Sequence, residues 1–131
     1  MLFDTSFLVD LLRGSNPEAK QKASEFDSVL MNKAVSSITV LELWRGALRS
    51  HRTETEMKRI DELLRSFLVY PVDEEAAKKA AEIEARLIAA GQAVEFEDVL
   101  IAAVAVTKNL PLLTKNVKHF EKIHELHVET Y

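Results

Sequence analysis

The sequence contains no cysteine, which excludes disulfides and thiolate metal sites and permits a reducing compartment. It also lacks any apolar stretch near the ~18 residues that a membrane-spanning helix needs. The start does not read as a secretory signal, because Leu2-Phe3 meets Asp4 at once. A cytoplasmic protein that does not enter the membrane is therefore the default expectation. Positive charge is short as well. The formal net charge is −4, which argues against binding nucleic acid through an overall positive field and suits a partner that carries basic residues. Internal repeats, low-complexity tracts and linkers are missing too. What remains is 131 residues with 47% hydrophobic and 29% charged side chains, the profile of one soluble domain spanning residues 1–131. A chain of that size buries roughly two-thirds of its unfolded surface and needs no covalent staple.

Short apolar runs alternate with helical periodicity. Met1-Leu2-Phe3 reads as a short strand, and Phe7, Leu8, Leu11 and Leu12 predict a helix from Thr5 to Arg13 that Gly14 stops. A helix from about Glu18 to Asn32 would bury Ala23, Phe26, Val29 and Leu30, and Lys33 to Ile38 reads as a strand. Thr39 is expected to open the next helix, with Val40, Leu43, Trp44, Ala47 and Leu48 on one face. Then follow a helix from Thr53 to Ser66, a strand at Phe67–Tyr70 and an Asp73-capped helix from Glu74 to Ala90 ended by Gly91. An almost wholly apolar helix at Asp98–Lys108, a strand at Leu110–Thr114, a short helix at Val117–Ile123 and a strand at Leu126–Val128 complete the chain. Strands separated by helices predict an α/β fold with a parallel sheet and right-handed crossovers.

Three acids share one kind of local address. Asp4 follows the first strand, Glu42 follows Ser36-Ser37-Ile38-Thr39, and Asp98 opens the apolar run Val99 to Val106. In an open parallel sheet such hand-over points converge on a crevice at the carboxyl ends of the strands. Carboxylates gathered there repel one another unless a divalent cation joins them, and all-oxygen ligands suit hard Mg²⁺ or Mn²⁺. The expected chemistry is metal-dependent hydrolysis of phosphate esters. Each acid also has a plain structural reading. Asp4 is placed to cap a helix, Thr39-Val40-Leu41-Glu42 has the form of a capping box, and Asp98 answers a helix dipole. Asn116, after the strand at Leu112-Leu113, is a fourth candidate, offering a carbonyl oxygen to a metal or its water, or serving as a turn residue. Thr5, Ser6 and Thr114 carry hydroxyls able to orient carboxylates or to cap helices.

Other residues divide in the same way. Gly46, on the face of Glu42, either clears room for substrate or admits a close helix. Arg45 and Arg49 are candidates for phosphate contact, with a Glu42–Arg45 pair as the local alternative. Lys115, Lys118 and His119 are candidates for contacts to a nucleic-acid backbone, or are solvated loop charges. Trp44 belongs with core residues more than with a base-stacking platform, and Glu95 and Glu97 with loop solvation, or else with the negative field of the site.

Taken together, these pieces resemble the PIN-domain nucleases, and among them the VapC-type toxins of toxin–antitoxin pairs. The resemblance spans nearly the whole chain. It rests on Leu2-Phe3-Asp4-Thr5-Ser6, on Ser37 through Ala47, on Asp98 through Ala105, and on Leu113-Thr114-Lys115-Asn116 followed by His119-Phe120. It implies a three-layer α/β/α sandwich with a mainly parallel five-stranded sheet, and endoribonuclease activity dependent on one or two Mg²⁺ or Mn²⁺ ions. Asp4, Glu42 and Asp98 match the family's three acids as catalytic and metal-binding residues. Asn116 falls where many members carry a fourth acid, and a neutral amide there weakens a second metal site. The resemblance further implies an RNA substrate, a homodimer, and inhibition by a small antitoxin with a basic segment. Two other functions compete: a non-catalytic or ribosomal-RNA-processing module that grips RNA, and a phospho-acceptor domain. The latter would need an acceptor Asp at a mid-chain strand end, whereas Asp61 falls inside an expected helix.

Overall fold

The computed structural model describes residues 1–27 and 33–131. Among these the elements are β1 (Leu2–Phe3), α1 (Thr5–Arg13), α2 (Pro17–Asp27), β2 (Ala34–Ser36), α3 (Ser37–Leu48), α4 (Thr53–Leu64), β3 (Leu68–Tyr70), α5 (Glu74–Ala89), α6 (Phe96–Thr107), β4 (Leu112–Leu113), α7 (Val117–Phe120) and β5 (Val128–Glu129). The five strands form one sheet in the order β3-β2-β1-β4-β5, and every pairing is parallel.

The pleat explains the layers. Leu2, Ala34 and Leu112 sit in register and enter a core with Ala76, Ala80 and Ile83 of α5 and the apolar body of α6. Their neighbours Phe3, Val35 and Leu113 enter the opposite core with Phe7, Leu8, Phe26, Leu43 and Ile60 from α1 to α4. Successive side chains of a strand face opposite sides, so residue pairs as short as Leu2-Phe3 fasten helices to both faces. The result is the expected three-layer α/β/α sandwich. In the second core Phe3 meets Phe7, Phe26 and Phe67, with ring centroids 4.9–5.5 Å apart.

Caps set several boundaries. Asp4 opens α1, and Gly14 closes it in the left-handed conformation at φ 69°. Asp73 accepts from Ala76 N at 2.9 Å to open α5. Gly91, at φ 67°, follows the last turn of α5.

Other boundaries differ from expectation. The strand expected over Lys33–Ile38 ends at Ser36, because the Ser36 hydroxyl accepts from Thr39 N at 3.2 Å and caps α3. Thr39 is therefore inside the helix and does not start it. The stripe expected on α3 also fails at one end, where Leu48 is exposed while Leu43 and Ala47 are buried. Helix α6 begins at Phe96, two residues before Asp98. Leu68 and Val69 lie exposed on β3 at the sheet edge. Val29 and Leu30 lie outside the described residues.

The chain runs outward from β1 through β2 to β3, then returns to add β4 and β5 on the other side. The winding reverses between β1 and β4, and a crevice opens at their carboxyl ends. Asp4 follows β1 and Thr114 follows β4, so both stand at that point.

Candidate functional site

Asp4 is buried at 4% exposure, and both oxygens of its carboxylate accept hydrogen bonds. Oδ1 accepts from Thr5 N at 2.8 Å, while Oδ2 accepts from the hydroxyls of Thr114 at 2.7 Å and Ser6 at 3.0 Å. Asp4 thus caps α1 and also faces the crevice. Thr114 in turn accepts from Asn116 N at 2.9 Å, which ties the loop after β4 to the same carboxylate.

Glu42 lies in the second turn of α3, beyond the reach of a capping box. Its Oε1 instead accepts from the Thr5 hydroxyl, 37 positions away in sequence, at 2.6 Å. Thr39 Oγ1 stands 3.0 Å from Thr5 Oγ1. A hydroxyl has one proton, so Thr5 gives its own to the carboxylate and Thr39 donates back. Asp98, in the first turn of α6, lies 3.1 Å through Oδ2 from His119 Nδ1.

The three acids line one cleft of about 520 Å³ together with Thr5, Ser6, Glu95, Glu97, Lys115, Asn116 and His119. Burial pushes the Glu42 carboxyl above its usual range; the Thr5 hydrogen bond opposes this, and the charges of Glu97, Asp4 and Asp98 add to it. Burial likewise raises Asp98; the charge of Asp4 reinforces the shift, and His119 works against it. The acids therefore feel one another.

The donor chemistry fits a hard divalent cation: oxygen atoms, several negative charges and a cleft open to solvent. The side-chain positions fall short of a closed cage. Among the described residues no three acids or histidines stand close enough to hold one ion as they are placed. Thr5 holds Glu42 and His119 holds Asp98 in these positions.

Several local expectations are corrected. Arg45 pairs with Glu97 at 2.9 Å and not with Glu42, and Glu97 is a helical residue held below its usual range chiefly by that bond. Gly46 admits no close helix, because a side-chain carbon there would meet nothing within 4 Å. It lines a second groove, with Val9, Leu12, Leu43, Arg52 and Arg59, which runs into the cleft at Glu42. Trp44 packs at the margin of the second core, as a core residue should.

One group was missed. Asp10 is 6% exposed, and accepts from Tyr131 Oη at 2.7 Å, Lys115 Nζ at 3.0 Å and Asn16 Nδ2 at 3.1 Å. Burial works to raise its carboxyl, but these partners outweigh it and hold it below the usual range. Lys115 is thereby anchored at the cleft wall. The signal was present: an acid inside Phe7-Leu8-Val9-Asp10-Leu11-Leu12 must find partners when its helix is buried.

Residues 1–126 match the model of the PIN domain. The chain is 34% identical over 131 residues to ribonuclease VapC1 of Methanocaldococcus jannaschii, covering all of this chain and 86% of that one. Among solved structures, DNA-bound VapBC from Salmonella typhimurium superposes with a TM-score of 0.90 at 26% identity, covering 98% of this chain and 96% of that one. A toxin–antitoxin complex from Klebsiella pneumoniae gives a TM-score of 0.74 at 28% identity, over 98% and 95% of the two chains.

Proposed function

This chain belongs to the PIN-domain family, among its VapC-type members, and we propose that it is a metal-dependent endoribonuclease, the toxin of a toxin–antitoxin pair. The observation that carries the reading is the shared cleft, in which Asp4 after β1, Glu42 of α3 and Asp98 of α6 come together and the charge of Asp4 adds to the raised carboxyls of Glu42 and Asp98. The ribonuclease name of the archaeal relative supports the activity. The toxin–antitoxin complex supports the partner.

Asp4 and Asp98 would hold a Mg²⁺ or Mn²⁺ ion, with Glu42 joining directly or through water. Such an ion, when bound, supplies a water of lowered pKa and positive charge for the phosphoryl oxygens. The chain's own contribution is to hold the acids still. Ser6 and Thr114 fix one oxygen of Asp4, Thr5 fixes Glu42, and His119 fixes Asp98. Asn116 lines the cleft as a neutral group, where it positions water more readily than it holds a second ion. A basic segment of an antitoxin would satisfy the same acids and exclude the metal. The protein would act as a homodimer in the cytoplasm.

The test is direct. Purified protein cleaves single-stranded RNA with Mg²⁺ or Mn²⁺, and excess EDTA stops it. Asp4→Asn and Asp98→Asn each abolish cleavage while circular dichroism stays unchanged. Cleavage that persists in EDTA refutes the proposal.

A further inference from the structure

A second depression adjoins the acidic cleft. It has a volume of about 440 Å³ and lies between the loop before α6 and the segment around α7. Asp98, Glu95 and His119 line both, so one opens into the other. Its remaining wall includes Phe96, Lys118 and Lys122.

Phe96 is out of place as a structural residue. It is 56% exposed, although it opens a helix whose next buried residues, from Val99 on, are almost completely covered. The two lysines share this wall with it. Lys79, Lys108 and Lys115 are each bound to an acid, whereas among the described residues Lys118 and Lys122 have no ion-pair partner. Four positions apart, they present two free cations to one groove in a chain of net charge −4. Against them the rim sets Glu95 as well as Asp98. An exposed ring flanked by unpaired cations is what a single nucleic-acid strand requires, a face for a base and charges for its phosphates.

We infer that this groove carries the RNA strand on one side of the scissile phosphate, with Phe96 stacking a base and Lys118 and Lys122 holding the phosphates beyond it. The inference rests on the nuclease reading and adds to it a direction out of the cleft. His119 stands at the junction, where it holds Asp98 and borders both spaces.

The experiment uses the full chain in an Asp98→Asn background, so that binding is read without cleavage or metal. A fluorescein-labelled single-stranded RNA of about twelve nucleotides is titrated at several salt concentrations and followed by anisotropy. Adding Phe96→Ala weakens binding about tenfold, and Phe96→Trp restores it. Adding Lys118→Ala with Lys122→Ala flattens the slope of log K against log salt by about 1.4, roughly 0.7 for each lost phosphate contact. Lys20→Ala with Lys58→Ala removes the same charge elsewhere and leaves the slope unchanged. An unaltered Kd and slope in the groove variants overturns the inference. So does a Phe96→Ala protein that changes its oligomeric state but keeps its affinity, which would assign the ring to contact between copies. Wild-type protein assayed in parallel with Mg²⁺ separates the two levels: absence of cleavage counts against the nuclease reading, while retained RNA affinity in the variants counts against the groove.

Discussion

Replacing Thr114 with valine tests whether the cleft is held by its hydroxyls. Thr114 is completely buried, and its oxygen serves two partners: it donates to Asp4 Oδ2 at 2.7 Å and accepts from Asn116 N at 2.9 Å. Valine keeps the shape and removes both bonds. A hydrogen bond to a charged group is worth about 1.5–3 kcal/mol, and the bond to the part-buried Asn116 N–H adds about 0.5–1 kcal/mol. Asp4 keeps Ser6 and Thr5 N, which favours the lower half of that span. The expected loss is about 2–3 kcal/mol. For 131 residues the unfolding entropy is about 0.28 kcal/mol per degree, so the melting temperature falls by about 7–11 °C. Thr114→Ser retains both bonds and gives up one methyl group, about 1 kcal/mol or less. Cleavage should follow the hydroxyl, falling about 10- to 100-fold in the valine variant and recovering in the serine variant, as for residues that orient metal ligands. The assays are thermal melting with EDTA present, and metal-dependent RNA cleavage. A valine variant that melts within about 3 °C of wild type and cleaves normally would refute the reasoning.

Three further outcomes are expected. Glu42→Gln raises the melting temperature at neutral pH while cleavage is lost. The folded-state pKa of Glu42 lies above its unfolded value, so its contribution favours folding when protonated and turns against it as pH rises through the raised value; a gain that persists at pH below the carboxylate range would contradict this. Tyr131→Phe destabilises by about 1.5–3 kcal/mol through the loss of a donor to buried Asp10, and because the pKa of Asp10 is lowered the loss is full above the unfolded carboxylate value and fades as pH falls through the folded one, which melts at neutral and acid pH will show. His119→Ala weakens the affinity for the activating metal by releasing Asp98, seen as a higher Mg²⁺ concentration for half-maximal rate.

The layers and the crevice were legible because they follow from periodicity and topology. Phe7, Leu8, Leu11 and Leu12 mark α1 from Thr5 to Arg13, and Gly14 supplies the left-handed residue that ends it. The address of Asp4 after the central strand follows from the strand order alone. Boundaries failed where several residues compete for one role. Ser36, Ser37 and Thr39 can all cap α3, and local chemistry prefers Thr39 because Glu42 completes its box. The sheet decides otherwise: Ser36 is the last residue of a strand pinned in register with Tyr70, so the helix must start at Ser37. Glu42 is then released from its neighbours and is claimed by Thr5. Partnerships across sequence, such as Asp10 with Tyr131 or Arg45 with Glu97, leave no periodic trace at all.

The cleft joins stability to control. Ionised Glu42 and Asp98 oppose burial and each other, so the free chain carries a cost that its hydroxyl tethers contain but do not remove. Any positive group entering the cleft recovers that cost as binding free energy, whether it is a hard metal ion or the basic side chain of a protein partner. The two draw on the same negative charges and so exclude one another. A partner would therefore not need to cover the whole molecule to silence the proposed activity. On the proposed function, one guanidinium or ammonium group among Asp4, Glu42 and Asp98 would be enough, provided the rest of the partner were anchored nearby. The groove lined by Val9, Leu12 and Leu43 opens beside those acids at Glu42. The free chain would then be kept ready for a cation by the same repulsion that leaves it open to inhibition.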